Sequence, residues 1–188
     1  MTAQQHQFVI SITSRDRVGI VYEVATALSE LAGDIADVRQ SVLCGYFTMI
    51  LLVTFPPEVT SRAVERKLSE LDANSETAMA ATITPVHNAA AGAPGVVPAH
   101  SYVLTAIGRD RIGFVAAVAG FCADHAINIL DLSTTVKDGS YVMILLVDLT
   151  GCASIQQVRA DLARFAAATE FSLVLQHHDI FRATNEIA

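Results

Sequence analysis

Basic charge, cysteine and long apolar runs are all scarce in this 188-residue chain, and each scarcity closes off a class of function. Only 12 Lys and Arg stand against 19 Asp and Glu, for a net charge of −7. Affinity for nucleic acid comes chiefly from clustered cations on phosphates, so direct contact with DNA or RNA is not expected. The 3 cysteines, Cys44, Cys122 and Cys152, are odd in number and widely spaced, with no CxxC. They fit neither a disulfide framework nor a zinc site. The longest uncharged apolar stretch, Ile112 to Ala123, is about a dozen residues, short of the roughly 20 that a spanning helix needs. Met1 to Gln7 lack the basic flank and apolar core of a signal peptide. A cytoplasmic protein is therefore expected, despite a mean hydropathy of +0.44. No Ser/His/Asp or Cys/His pairing, phosphate loop or two-carboxylate arrangement stands out, so neither an enzyme nor a cofactor is expected.

What the chain does contain is itself, twice. Shifting the sequence by 94 positions lays VISITSRDRVGIVYEVA, from Val9, on VLTAIGRDRIGFVAAVA, from Val103. The match runs without a gap to Val53 on Val147. It persists weakly beyond, with Val64 on Val158, Leu68 on Leu162 and Leu71 on Phe165. Such self-similarity marks an internal duplication.

Each copy predicts the same elements. Phe8 to Ile12 and Tyr102 to Ile107 are β-branched and aromatic, hence strands. Val21, Val24, Ala25, Leu28 and Leu31 form an amphipathic helical stripe, matched by Val115, Val118, Ala119 and Cys122. Ile35 to Val42 and Ile129 to Val136, of mixed polarity, predict an edge strand. Cys44-Gly45 and Asp138-Gly139 then predict a tight hairpin turn. Phe47 to Phe55 and Tyr141 to Leu149 are apolar almost throughout, as in a central strand covered on both faces. Helices follow at Ser61 to Ala73 and Ser154 to Ala168, then weak strands at Ala80 to Val86 and Ser172 to His177. The order β-α-β-β-α-β defines an α+β, ferredoxin-like fold with a four-stranded antiparallel sheet in each copy. Between the copies, Asn88 to Ala99 (NAAAGAPGVVPA) has no period and reads as a linker of roughly 40 Å if extended.

The best-repeated short segment is Arg15-Asp16-Arg17-Val18-Gly19, again as Arg109-Asp110-Arg111-Ile112-Gly113. It joins the first strand to the first helix, where unpaired N–H groups and the helix dipole favour an anion. Gly19 and Gly113 would let a ligand or a strand approach the backbone closely. Asp16 and Asp110 have two roles open to them. One is capping the helix; the other is accepting hydrogen bonds from a ligand ammonium. The four arginines could grip a carboxylate or be solvated. His177-His178 would point to opposite faces of a strand, which argues against a shared metal ion.

A strand, then Asp-Arg-x-Gly opening a helix, then Asn128-Ile129 (Asp34-Ile35 in the first copy) opening the next strand resembles the ACT domain. The resemblance covers both copies, as a first ACT-like domain over 1–87, a linker over 88–99 and a second domain over 100–188. A free-standing tandem pair is most similar to the glycine cleavage system transcriptional repressor group. ACT domains are regulatory modules that bind amino acids between two copies. The resemblance therefore implies ligand-binding roles for Ser14, Asp16 and Gly19, with Asn128 facing them. It implies the same for Gly108, Asp110 and Gly113, with Asp34 facing them; Arg17 and Arg111 join the candidate sites as side chains able to grip a carboxylate. Some amino-acid sensors carry an amide where Asp16 and Asp110 stand.

The expectation is a non-enzymatic regulator that senses a small amino acid, glycine or serine by resemblance, and signals to a protein partner. The rival is an interaction module with no small-molecule ligand. High apolar content in two small domains predicts self-association, as a homodimer.

Overall fold

Alternation of apolar residues in the strands and 3.6-residue stripes in the helices build two separate cores, one per copy. A computed structural model describes residues 5–73, 78–86, 98–109, 111–137 and 139–185. The chain divides into two compact units, Met1–Val96 and Val97–Ala188. The first contains β1 (His6–Arg15), α1 (Ile20–Glu30), β2 (Asp34–Leu43), β3 (Tyr46–Phe55), α2 (Ser61–Ala73) and β4 (Met79–Pro85). The second contains β5 (Ser101–Arg109), α3 (Phe114–Asp124), β6 (Asn128–Lys137), β7 (Ser140–Asp148), α4 (Ile155–Thr169), β8 (Ser172–His177) and α5 (His178–Asn185). The expected linker lies outside the described residues except for Pro98 and Ala99, and so do Asp110 and Asp138.

Each sheet is antiparallel and four-stranded, in the order β2-β3-β1-β4 and β6-β7-β5-β8. The predicted edge strands, β2 and β6, are edges. Each slips register once at the same place, between Ile35 and Asp37 and between Ile129 and Asp131, so the duplication extends to a β-bulge. Cys44 and Gly45 both take positive φ, at 52° and 77°, as a tight hairpin requires.

In the first unit Phe8, Ile10 and Ile12 of β1 and Phe47, Met49, Leu51, Val53 and Phe55 of β3 meet Val24 and Leu28 of α1 and Val64 and Leu68 of α2. The second unit repeats this with Leu104, Ala106, Met143, Leu145, Val147, Val118, Val158 and Leu162. Among the described residues no helix is long and apolar enough to cross a membrane.

The structure corrects three expectations. The helical stripe is rotated: Ile20, Val24, Ala27 and Leu28 are buried while Val21 is exposed, because the helix starts at Ile20 and packs by its first residue. The apolar β3 is covered on one face only. Its residues alternate in burial, and Ile50 is 54% exposed, since both helices pack on the side of Met49 and Leu51. Finally, His178 is not a strand residue. It opens α5, an element the sequence did not announce, and both His177 and His178 approach Asp179, at 3.6 and 3.7 Å.

Candidate functional site

The repeated Asp-Arg-x-Gly segment forms the turn between β1 and α1, and between β5 and α3. The N-cap residue is Gly19 in one unit and Gly113 in the other, both left-handed, with φ of 93° and 91°, and no side chain caps either helix. That conformation is what glycine supplies. Close approach is not the reason, because a Cβ at Gly113 would meet nothing within 4 Å and one at Gly19 only Glu23 Oε1, at 3.6 Å. The capping role considered for Asp16 is thereby overturned: it lies three residues before the cap. Asp16 is exposed, and its backbone N–H donates to the Gly45 carbonyl at 3.0 Å. This bond ties the turn to the β2–β3 hairpin.

The arginine next to it is engaged. Arg17 Nη1 and Nη2 donate to the two carboxylate oxygens of Glu23, each at 2.6 Å. This charge-assisted fork raises the Arg17 pKa and lowers that of Glu23, hydrogen bonding being the main cause for both. The second unit has Ala117 where the first has Glu23. There Arg111 donates instead to the Thr169 carbonyl, at 3.3 Å, and lies over the Phe171 ring at 4.9 Å. Arg15 stacks over Tyr46 at 4.3 Å.

The other candidates spread along the sheets. Ser14 is buried on the helix-covered face, and its hydroxyl donates to the Arg15 carbonyl at 3.0 Å. Its counterpart Gly108 has no room for a side chain: a Cβ would stand 2.6 Å from Phe114 and 2.9 Å from Phe171. Asp34 and Asn128 are exposed first residues of β2 and β6, paired with Thr54 and Asp148. Asp16 follows the far end of β1, where Arg15 pairs with Tyr46. At about 3.3 Å per strand residue this separates Asp16 from Asp34 of the same unit by about 25–30 Å. No single unit can therefore bring both kinds of residue to one small site.

An open groove of about 500 Å³ runs beside the first turn, lined by Asp16, Arg17, Gly19, Ile20, Val21, Tyr22 and Ala25, with Gln40, Val42 and Phe47 opposite. Tyr22, Gln40 and Val42 were absent from the sequence-based site. The signal for Gln40 and Val42 was available in the period-2 pattern of the edge strand, which puts Val38, Gln40 and Val42 on one face, the helix side by their pairing with Leu51, Met49 and Phe47.

The ACT domain family profile matches residues 6–81 and 100–176. This chain belongs to the ACT domain family and carries the domain twice. It is 30% identical over 86 residues to a UPF0237 protein of Clostridium perfringens, covering 45% of this chain and 97% of that one. A UPF0237 protein of Neisseria meningitidis is 36% identical over 86 residues, again 45% of this chain and 96% of its own. Two solved structures share the fold over 92% of this chain. One is an unknown protein from Galdieria sulphuraria (TM-score 0.73, 23% identity, 98% of that chain). The other is described as a "putative glycine cleavage system transcriptional repressor" (TM-score 0.70, 20% identity, 96% of that chain).

Proposed function

We propose that this tandem ACT protein is a non-enzymatic regulator that binds a free α-amino acid at the strand-to-helix turn and relays occupancy to a protein partner. The observation that carries the reading is the uncapped first turn of α1. A left-handed Gly19 opens the helix without a side-chain cap, so Asp16 stays exposed on the groove rather than serving the helix. An exposed carboxylate beside unpaired helix amides offers both an acceptor for an ammonium and donors for a carboxylate, the two needs of a zwitterion. Asn128 and Asp34 are the residues that a second ACT domain would add. Asn128 offers an amide where Asp34 offers a second carboxylate, which suits the Asp16 turn better.

Relay needs only linkage: a ligand that prefers one arrangement of the domains shifts its population. The resemblance to the glycine cleavage repressor group suggests control of that system, with a free amino acid as the signal. A thermal-shift screen of the free amino acids tests the reading. At least one should raise the melting temperature of the wild-type chain, and Gly19→Val, strained at positive φ, should lose that response. If none of the amino acids moves the wild-type protein, the interaction-module alternative takes its place.

A further inference from the structure

The groove beside α1 is polar at one end and apolar along most of its length. Val21 and Ala25, four residues apart, share one face of α1. Tyr22, 75% exposed, flanks them. Across the groove Val42, 50% exposed, stands on β2 two residues from Gln40, and the buried Phe47 and Ile20 also line it. These walls hold apolar surface in water that neither α1 nor α2 covers. Asp16 is the exposed carboxylate at the polar end, and the neighbouring Arg17 is engaged by its fork to Glu23.

Resting on the amino-acid reading above, we infer that the first-unit groove selects an α-amino acid with a large aliphatic side chain, such as leucine, over glycine or serine. The ammonium pairs with Asp16, which fixes the head, and the side chain then runs between Val21 and Val42. Pockets of roughly 300–1,000 Å³ bury ligands much larger than glycine, so a ligand without a side chain leaves the apolar walls wet. Each buried methylene tightens binding about fourfold when fully covered. In an open groove a four-carbon side chain should therefore gain at least about tenfold over glycine. The inference concerns the first unit, where Tyr22 and Gln40 stand in place of Ala116 and Thr134, while Val115 and Val136 repeat Val21 and Val42 in the second.

Titration calorimetry of the full chain with glycine, L-serine, L-alanine, L-valine and L-leucine is the test, repeated on Val42→Ser with circular dichroism to confirm the fold. Affinity should climb through the series to leucine, and Val42→Ser should narrow the leucine-to-glycine ratio by about threefold or more. Glycine or serine binding as tightly as leucine would overturn the ligand class while leaving the amino-acid reading standing. A leucine preference that survives Val42→Ser unchanged would overturn the placement in this groove. Absence of binding by every amino acid would remove both the inference and the reading beneath it.

Discussion

The two units share a backbone plan and fill it differently, and the differences come in compensating pairs. In the first unit Ser14 sits on β1 and Ile20 opens α1. At the equivalent places the second unit has Gly108 and Phe114, and the larger ring occupies the space the smaller residue leaves. At the other end the direction reverses. Gly33 in the first unit leaves room for Phe55, a Cβ there coming within 2.5 Å of its ring, whereas the second unit has Ile127 and Leu149. Close packing explains why such changes travel together: an interior at crystal-like density absorbs neither a lone added methylene nor a lone deletion. The duplication conserved volume and pattern, not residues. The exposed turns show the same divergence, with a Glu23 partner for Arg17 and a carbonyl partner for Arg111.

Swapping one member of a pair should therefore break the second unit, and swapping both should mend it. Gly108→Ser places a Cβ 2.6 Å from Phe114, which is buried and packs tilted against Phe171 with ring centroids 4.5 Å apart. Overpacking of this kind costs about 2–3 kcal/mol, the largest effect expected. Gly108→Ser combined with Phe114→Ile recreates the first unit's pair and should recover most of the loss, a coupling that a double-mutant cycle measures. Hydrogen exchange on the β5 and β7 amides reads the second unit alone. Additive losses would mean the two positions do not share one space.

A smaller contrast lies at Leu28 and its equivalent Cys122, both buried in the core. A hydrocarbon does not titrate, but burial pushes the Cys122 thiol from 9.0 up to about 11, with Cys152 adding to the shift. The folded thiol thus keeps its proton when the unfolded one has lost it. That contribution is fully present below about pH 9 and is lost as pH rises to about 11, on the order of 2 kcal/mol once partial solvent screening is allowed for. The second unit should soften across that window more than the first, and Cys122→Ala should flatten the slope whatever it costs in absolute stability. Chemical denaturation at stepped alkaline pH, followed unit by unit through amide exchange, would show it. Equal slopes for variant and wild type would clear Cys122 of the effect.

Much of this architecture was legible because duplication repeats every signal. The period-2 strands, the stripe of Val64, Leu68 and Leu71 and the Cys44-Gly45 turn each carried a local physical cause. So did the fold class and the position of the Asp-Arg-x-Gly turn. What stayed hidden needed knowledge of where a chain reverses. Asp16 has the composition of a helix cap, yet Gly19 opens the helix, and only the backbone angle reveals that. The fork from Arg17 to Glu23 spans six residues, outside the i,i+3 and i,i+4 spacing of helical pairs, because Arg17 precedes the helix. The one-sided burial of β3 could not be read from a run of apolar residues, which looks the same whether one face is covered or two. The groove walls were missed for a related reason: the period of β2 puts Val42 and Gln40 on one face, but only its register against Phe47 and Met49 of β3 makes that the helix side.

The smallest effect separates the units by the kind of bond that holds a carboxylate. Glu23 in the first unit is held below the usual carboxylate range by the Arg17 guanidinium, first through hydrogen bonds and less through plain charge attraction. Asp148 in the second is held low chiefly by the Thr150 hydroxyl, at 2.6 Å, and by the Thr150 backbone N–H, at 2.9 Å, with a smaller charge attraction from His100. Both pKa values are depressed, so both contributions are present above the ordinary carboxylate range and lost as pH falls through the depressed value. The two should part company in salt. A half-buried ion pair still open to solvent is weakened when the Debye length falls to about 3 Å near 1 M, whereas bonds from a neutral hydroxyl and amide are not. Carboxyl-carbon NMR titration at low and high salt should therefore move Glu23 back toward its ordinary value and leave Asp148 nearly still. Arg17→Ala should abolish the depression at Glu23 without touching Asp148. A salt response shared equally by both groups would show that the Arg17 fork acts as ordinary hydrogen bonding, and the charge difference between the two turns would lose its meaning.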